Sequence, residues 1–329
     1  MDRILICDEG SAKAVWSPAL LKKAGLDGVV TKKADITGCP EKYKNVKYIF
    51  STWGMENFTA EEIKKYLPSL EAVFYAAGTV RYFAEPFIES GVRVFSAWQA
   101  NAVPVAEFTT AQIILAGKGY FRSARALHEG KNRNDVYSDF KEYKGNYDTT
   151  VGLIGCGAIG TLVCKKMREY SLKTIVFDPF LSDGRAEKLG AEKVTLEELF
   201  ARSEVVSNHL ANNPQTVGMI RGTHFESMKK NAAFINTGRG AQIRENEMAE
   251  VLVKRPDLTV LLDVTDPEPP AENSPLNTLP NVFLSPHIAG SSGLECHRMA
   301  EYMVNELEKY EKGEALTMLV TKEMLKTMA

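Results

Sequence analysis

One stretch of this chain narrows the folds open to it more than any other: TTVGLIGCGAIG over residues 149–160, then a helical pattern to Tyr170, then KTIVFD ending at Asp178. A β-rich run that breaks at glycine and reopens as a helix is a strand–turn–helix unit. Gly155 permits the tight turn, Gly157 lets a phosphate approach the backbone, and Gly160 lets the helix pack close to the strand. The helix start, with Ala158 and Ile159, adds free N–H groups and the positive end of a dipole where a pyrophosphate can sit. Asp178 follows Gly160 by eighteen residues, close to the roughly twenty at which a carboxylate meets the adenosine ribose hydroxyls. A carboxylate there repels a 2′-phosphate. NAD is therefore expected over NADP, with Arg185 just downstream softening the preference.

The same alternation of short β-rich runs and amphipathic stretches extends through most of the chain, the pattern of parallel sheets covered by helices. Strands are expected at 4–7, 48–52, 72–75 and 93–95, and a second series at 149–155, 173–178, 204–210, 232–238, 258–264 and 281–287. Between the two series, residues 103–124 predict one long helix with Asn101 as a possible cap and Pro104 in its first turn. The polar stretch 128–148 has little apolar periodicity and is expected as a surface arm, either a dimer contact or plain loop, of which the sequence favours loop. A closing helix over about 292–311 would carry Met299, Met303 and Leu307 back toward the first series.

Composition supports an ordinary globular protein. With 329 residues the chain suggests two domains; 44% hydrophobic and 25% charged residues argue against disorder, collagen and coiled coil. Forty Lys plus Arg against 42 Asp plus Glu leave a formal charge of −2, too little to draw the protein to nucleic acid or to an anionic membrane. Five cysteines at unrelated spacings (Cys7, Cys39, Cys156, Cys164, Cys296) do not form a disulfide framework. Residues 1–7 lack the pattern of a signal peptide, and no apolar run approaches the roughly 18 residues of a membrane span. A cytoplasmic location is expected.

Beyond the glycine turn, Asn101 with Val105-Ala106-Glu107, Asp178-Pro179, Ile235-Asn236-Thr237-Gly238-Arg239-Gly240, Asp263-Val264, Glu268-Pro269 and Ser285-Pro286-His287-Ile288 occur in an order that resembles the D-isomer-specific 2-hydroxyacid dehydrogenases. The likeness runs from about residue 73 to 299. It implies a catalytic set of Arg239, Glu268 and His287. Chemically, the planar guanidinium of Arg239 can hold a 2-keto acid's carboxylate and polarise its carbonyl. His287 can give a proton to the alkoxide formed as hydride arrives, and Glu268 beside it would favour the charged imidazole and fix its orientation. All three fall just beyond strands of one nucleotide-binding sheet, where ligands gather in open α/β folds. The resemblance also implies that Asp263 accepts from the nicotinamide amide, with Leu210 and Thr237 meeting the cofactor through their backbones. No metal is expected, and His128, His209, His224 and His297 lack any comparable context.

The chain departs from the family pattern at Ala76-Ala77-Gly78-Thr79-Val80-Arg81, where Gly-Val or Gly-Phe followed by Asp-Asn is usual. Backbone N–H groups of Ala77, Gly78 and Thr79 can still bind a carboxylate, so the expected substrate set is Ala77, Gly78, Thr79, Arg81 and Asn101. Arg81 either reaches a second anionic group on the substrate or, as the commoner arrangement, points to solvent or pairs with Glu85. Trp98 stands where the family often has Pro, and Ala211-Asn212-Asn213 replaces Pro-Leu-Thr. Glu268 argues against formate dehydrogenase, which usually has Gln there.

The expected fold class is α/β with two doubly wound parallel-sheet domains. A NAD-binding Rossmann domain (101–292) is inserted in a flavodoxin-like substrate domain (1–100 with 293–329), with the site in the cleft. The expected function is reversible NAD(H)-dependent reduction of a small anionic 2-keto acid to the D-2-hydroxy acid by a homodimer. The alternative is an NADH-responsive regulatory protein of the same superfamily, like the C-terminal-binding-protein corepressors.

Overall fold

The β-rich runs of the first hundred residues become β1 (Arg3–Ile6), β2 (Tyr48–Ser51), β3 (Ala72–Tyr75) and β4 (Arg93–Ser96). The second series becomes β5 (Thr150–Ile154), β6 (Lys173–Phe177), β7 (Ala191–Lys193), β8 (Val205–Asn208), β9 (Ala233–Asn236), β10 (Thr259–Leu262) and β11 (Val282–Leu284). A last strand, β12, is Leu319–Val320. These elements belong to a computed structural model that describes residues 1–326. The end of the expected 293–329 segment, residues 327–329, lies outside the described residues. Two units separate: Met1–Ala102 together with the chain from Ser291, and Val103–Gly290.

The first unit holds a five-stranded sheet in the order β1-β2-β3-β4-β12, parallel except where β12 runs antiparallel beside β4. On the other side of β1 a single parallel bridge joins Leu5 to Val30, so a strand position there survives as one residue pair. Register places Phe50, Phe74 and Phe95 side by side. Their rings stack at 5.2 and 4.8 Å, and Tyr310 from the helix Glu295–Lys312 closes over them edge-on. That helix buries Met299, Met303, Val304 and Leu307 against the same core. Strands buried on both faces read as continuous apolar runs, as parallel sheets require.

The second unit is a seven-stranded, wholly parallel sheet in the order β11-β10-β9-β8-β5-β6-β7. Strand order reverses between β5 and β8. In doubly wound sheets the crevice beyond the strand ends at that reversal is where ligands bind. No helix among the described residues is long and apolar enough to cross a membrane.

Two helix expectations need correcting. The long helix is Trp98–Gly117, not 103–124. Asn101 and Pro104 therefore lie within it rather than at its start. It stops because Gly119 turns left-handed (φ 65°) at a point where a Cβ would lie 2.6 Å from the Tyr143 ring, and a separate helix, Tyr120–His128, follows. The polar stretch 128–148 is not all loop. It contains the helix Arg133–Phe140, capped by the Asn132 side chain on Asn134 N–H and buried only at Val136. The two strands without a sequence expectation, β7 and β12, are three and two residues long, too short for periodicity to declare them.

Candidate active site

The three glycines of the first motif do three different things. Gly155 is left-handed (φ 86°), and a Cβ there would stand 2.9 Å from the His209 carbonyl carbon. At Gly160 a Cβ would stand 2.1 Å from Gly155 O, inside the contact between helix Ala158–Met167 and the turn. At Gly157 it would meet nothing within 4 Å. The protein itself thus requires glycine at 155 and 160. At 157 the space that a side chain would fill lies open at the helix N-terminus.

Asp178 begins the segment after β6 and bends back to that turn. Its Oδ2 accepts the Cys156 N–H at 2.7 Å and its Oδ1 accepts the Phe180 N–H at 2.8 Å. Each oxygen keeps a lone pair for a further donor such as a hydroxyl. Arg185 Nη2 lies beside the turn, donating to Thr161 Oγ1 at 3.1 Å and to Cys156 O at 3.3 Å. A cavity of about 780 Å³ opens next to Asp178, with Phe177, Pro179, Val194, Leu196 and Met219 on its apolar side. Arg239, Glu268 and His287 lie outside it.

Those three residues sit past the ends of neighbouring strands β9, β10 and β11. His287 Nδ1 is 2.6 Å from Glu268 Oε1. A carboxylate can only accept, so Nδ1 carries the hydrogen of this contact and Nε2 is left as the second exchange position. Arg239 is half-buried, and its Nη1 donates to Gly238 O at 2.7 Å. Burial pulls its pKa down while the Glu268 charge pulls it up; a guanidinium remains charged regardless.

His287 has a left-handed backbone (φ 54°), a conformation that a non-glycine residue holds only where its surroundings enforce it. Asp263 does the enforcing. This buried carboxylate accepts from Ser285 Oγ at 2.6 Å, from Ile288 N at 2.9 Å and from Ala289 N at 2.9 Å, while its carbonyl accepts the His287 N–H at 3.0 Å. The residue expected to meet the nicotinamide is thus also the clamp of the turn that carries His287.

Leu210 and Thr237 lie at the ends of β8 and β9, tied by a buried amide network. Asn208 Nδ2 donates to Asn236 Oδ1 at 3.0 Å and to Gln242 Oε1 at 2.6 Å; Gln242 Nε2 donates to Leu210 O at 2.9 Å; Gly238 N donates to Asn236 Oδ1 at 3.1 Å. Thr237 Oγ1 shares a contact with Thr109 Oγ1 at 3.1 Å. Sequence reasoning gave no role to Asn208, Gln242 or Thr109. For Asn208 the hint in the sequence is a polar residue ending an apolar strand; Gln242, in a short turn, and Thr109, inside the long helix, carry no such signal.

The expected substrate residues all lie in the first unit. Ala77, Gly78 and Thr79 follow β3; Ser96 Oγ donates to both Ala77 O and Gly78 O. A Cβ on Gly78 would stand 3.7 Å from Asn101 Nδ2, an ordinary contact. Asn101 Oδ1 accepts the Ser291 N–H at 3.0 Å. Arg81 is exposed at the next turn, and Trp98 packs part-buried against the core. The variant loop at 211–213 is braced locally: Thr216 Oγ1 donates to Ala211 O at 2.7 Å and accepts Asn213 N–H at 3.1 Å.

Residues 110–289 match the family model described as D-isomer specific 2-hydroxyacid dehydrogenase, NAD binding domain. The chain is 31% identical over 204 residues to D-3-phosphoglycerate dehydrogenase of Archaeoglobus fulgidus, covering 62% of this chain and 38% of that protein's length. It is 28% identical to glyoxylate reductase of Korarchaeum cryptofilum, covering 80% of each. In fold it is similar to apo D-mandelate dehydrogenase of Rhodotorula graminis, with a TM-score of 0.81, 22% identity and 97% of each chain covered.

Proposed function

This chain belongs to the D-isomer specific 2-hydroxyacid dehydrogenase family, and from that premise we propose that it reversibly reduces a small 2-keto acid to the D-2-hydroxy acid with NAD(H). The observation that carries the reading is the His287–Glu268 pair at 2.6 Å, placed beyond the sheet next to the strand end that bears Arg239. When bound, the nicotinamide supplies or takes the hydride. His287 Nε2 gives its proton to the substrate's carbonyl oxygen as charge develops there, and takes it back in the reverse direction. Glu268 holds the ring from Nδ1 so that Nε2 faces the substrate in one tautomer. Arg239 binds the carboxylate and polarises the carbonyl.

The open space at Gly157 and the start of helix Ala158–Met167 suit a pyrophosphate. Asp178 would take the adenosine ribose hydroxyls, and the apolar side of the neighbouring cavity suits a flat base. Asp178 favours NAD; Arg185, 3.1 Å from Thr161 Oγ1, is the residue that would admit NADP. Residues 101–292 would serve as the cofactor domain and residues 1–100 with 293–329 as the substrate domain, the latter offering backbone N–H groups at Ala77, Gly78 and Thr79, with Arg81, to the substrate; Asn101, the first residue of the cofactor range, would join them.

The test is NADH oxidation across glyoxylate, hydroxypyruvate, pyruvate, 2-ketoisocaproate and phosphohydroxypyruvate. At least one should be turned over. His287→Ala should lower kcat by roughly 10²–10⁴-fold, the scale of a lost general acid, with NADH affinity nearly unchanged. Tight NADH binding with no turnover of any substrate, or near-normal turnover by the variant, would refute the proposal.

A further inference from the structure

The loop that presents Glu268 leaves β10, and its course is set before Glu268 is reached. Gly240, next to Arg239, touches it so closely that a Cβ there would stand 2.0 Å from the Thr265 carbonyl carbon and 2.5 Å from Asp266 N. Thr265 Oγ1 donates to Pro267 O at 2.9 Å. A third restraint comes from elsewhere in the chain. Glu245, the first residue of helix Glu245–Lys254, accepts the Asp266 N–H at 2.9 Å through Oε1. The start of that helix is itself fixed, because Arg244 N–H donates to Ile220 O at 2.9 Å.

A carboxylate suits the positive end of a helix, but at Glu245 it is also withdrawn from water. It is half-buried; burial, reinforced by the Asp266 charge, pushes its carboxyl up to about 7 against the pull of the Asp266 N–H. Among the described residues no Lys, Arg or His forms an ion pair with it. A carboxyl drawn from water without a cation is unfavourable. What it gains in return, besides the helix dipole, is one directed hydrogen bond, two residues upstream of Glu268.

We propose that Glu245 is a positioning residue, whose carboxyl oxygen fixes the Asp266 amide and thereby aims Glu268 at His287 Nδ1. The reach of the acceptor matters and its charge does not. Glu245→Gln keeps the oxygen in place; Glu245→Asp keeps the charge but withdraws the oxygen by about 1.5 Å, one carbon–carbon bond. This inference rests on the dehydrogenase reading for its kinetic consequence only, so two readouts are needed.

The first is the pair of imidazole ¹⁵N resonances of His287 at one fixed pH, identified by their loss in His287→Gln. Glu245→Gln should leave them at the wild-type positions, whereas Glu245→Asp should shift them toward those of Glu268→Gln. The second is turnover of the best 2-keto acid. Glu245→Asp should lower kcat by roughly 10–100-fold, the scale of a small misplacement of a catalytic group, with NADH affinity unchanged; Glu245→Gln should stay within about threefold of wild type. Wild-type resonances in Glu245→Asp, or a Gln variant as impaired as the Asp variant, would overturn the inference. If the Asp variant fails to fold, Glu245→Ala takes its place with the same expectations. If wild type turns over no 2-keto acid, the dehydrogenase reading fails by itself, and the resonances still decide the role of Glu245.

Discussion

At the scale of single residues, the glycine turn separates what the fold requires from what a ligand would require. Gly160→Ala forces a Cβ to within 2.1 Å of Gly155 O, and overpacking of this kind destabilises by about 1–3 kcal/mol. Gly157→Ala meets no protein atom within 4 Å. The expected contrast is a lowered melting temperature for the first variant, and an unchanged one for the second with NADH affinity reduced at least tenfold, measured by thermal melts and fluorescence titration. His209 is a second residue-scale case. It lies behind the turn with Ser207 Oγ 3.0 Å from Nε2, and burial pushes its pKa down to about 3. Its folded-state pKa lies below the unfolded value near 6.5, so the unfolded state binds the extra proton between those two values and stability falls as pH drops from about 6.5 toward 3. His209→Gln should flatten that part of the stability-versus-pH curve in denaturant titrations; an unaltered slope would exclude His209 as its cause.

At the scale of elements, the sequence was legible wherever a signal is local and long. The six strands that carry motif residues each occupy one β-rich run, and each motif falls where its strand ends. Asn101 and Pro104 resemble start signals in the sequence, but the helix begins earlier, at Trp98, which packs against the core. Strand β12 was invisible at two residues, yet it completes a sheet edge. Glu306, buried on the helix Glu295–Lys312, secures the approach to it, accepting from Thr317 N, Thr317 Oγ1 at 3.0 Å, Met318 N at 2.9 Å and Lys309 Nζ at 3.2 Å. Glu306→Ala leaves these donors unanswered and should destabilise the fold by about 2–4 kcal/mol. A change under 0.5 kcal/mol in denaturant unfolding would show that β12 docks without it.

At the scale of the whole molecule, the α/β class and the reversal of strand order follow from alternation and from the family likeness, while assembly depends on surfaces. The 128–148 arm exposes Tyr137 and Tyr147, and Leu127 just before it is also exposed; a dimer through this arm should sediment at twice the monomer mass, and a monomer at all accessible concentrations would dismiss it. What the sequence determined by itself is what contiguous windows encode: strand, glycine turn, helix start, and which residue types stand at each strand end. What only the tertiary structure decided is how those ends are held. Asn208 meets Asn236 and Gln242 across 28 and 34 residues, Asp263 bends the His287 turn from 22 to 26 residues away, and Glu245 reaches Asp266 across 21. Hydrogen bonds of such sequence separation form only once parallel strands have brought their ends together, so no local pattern of residues records them.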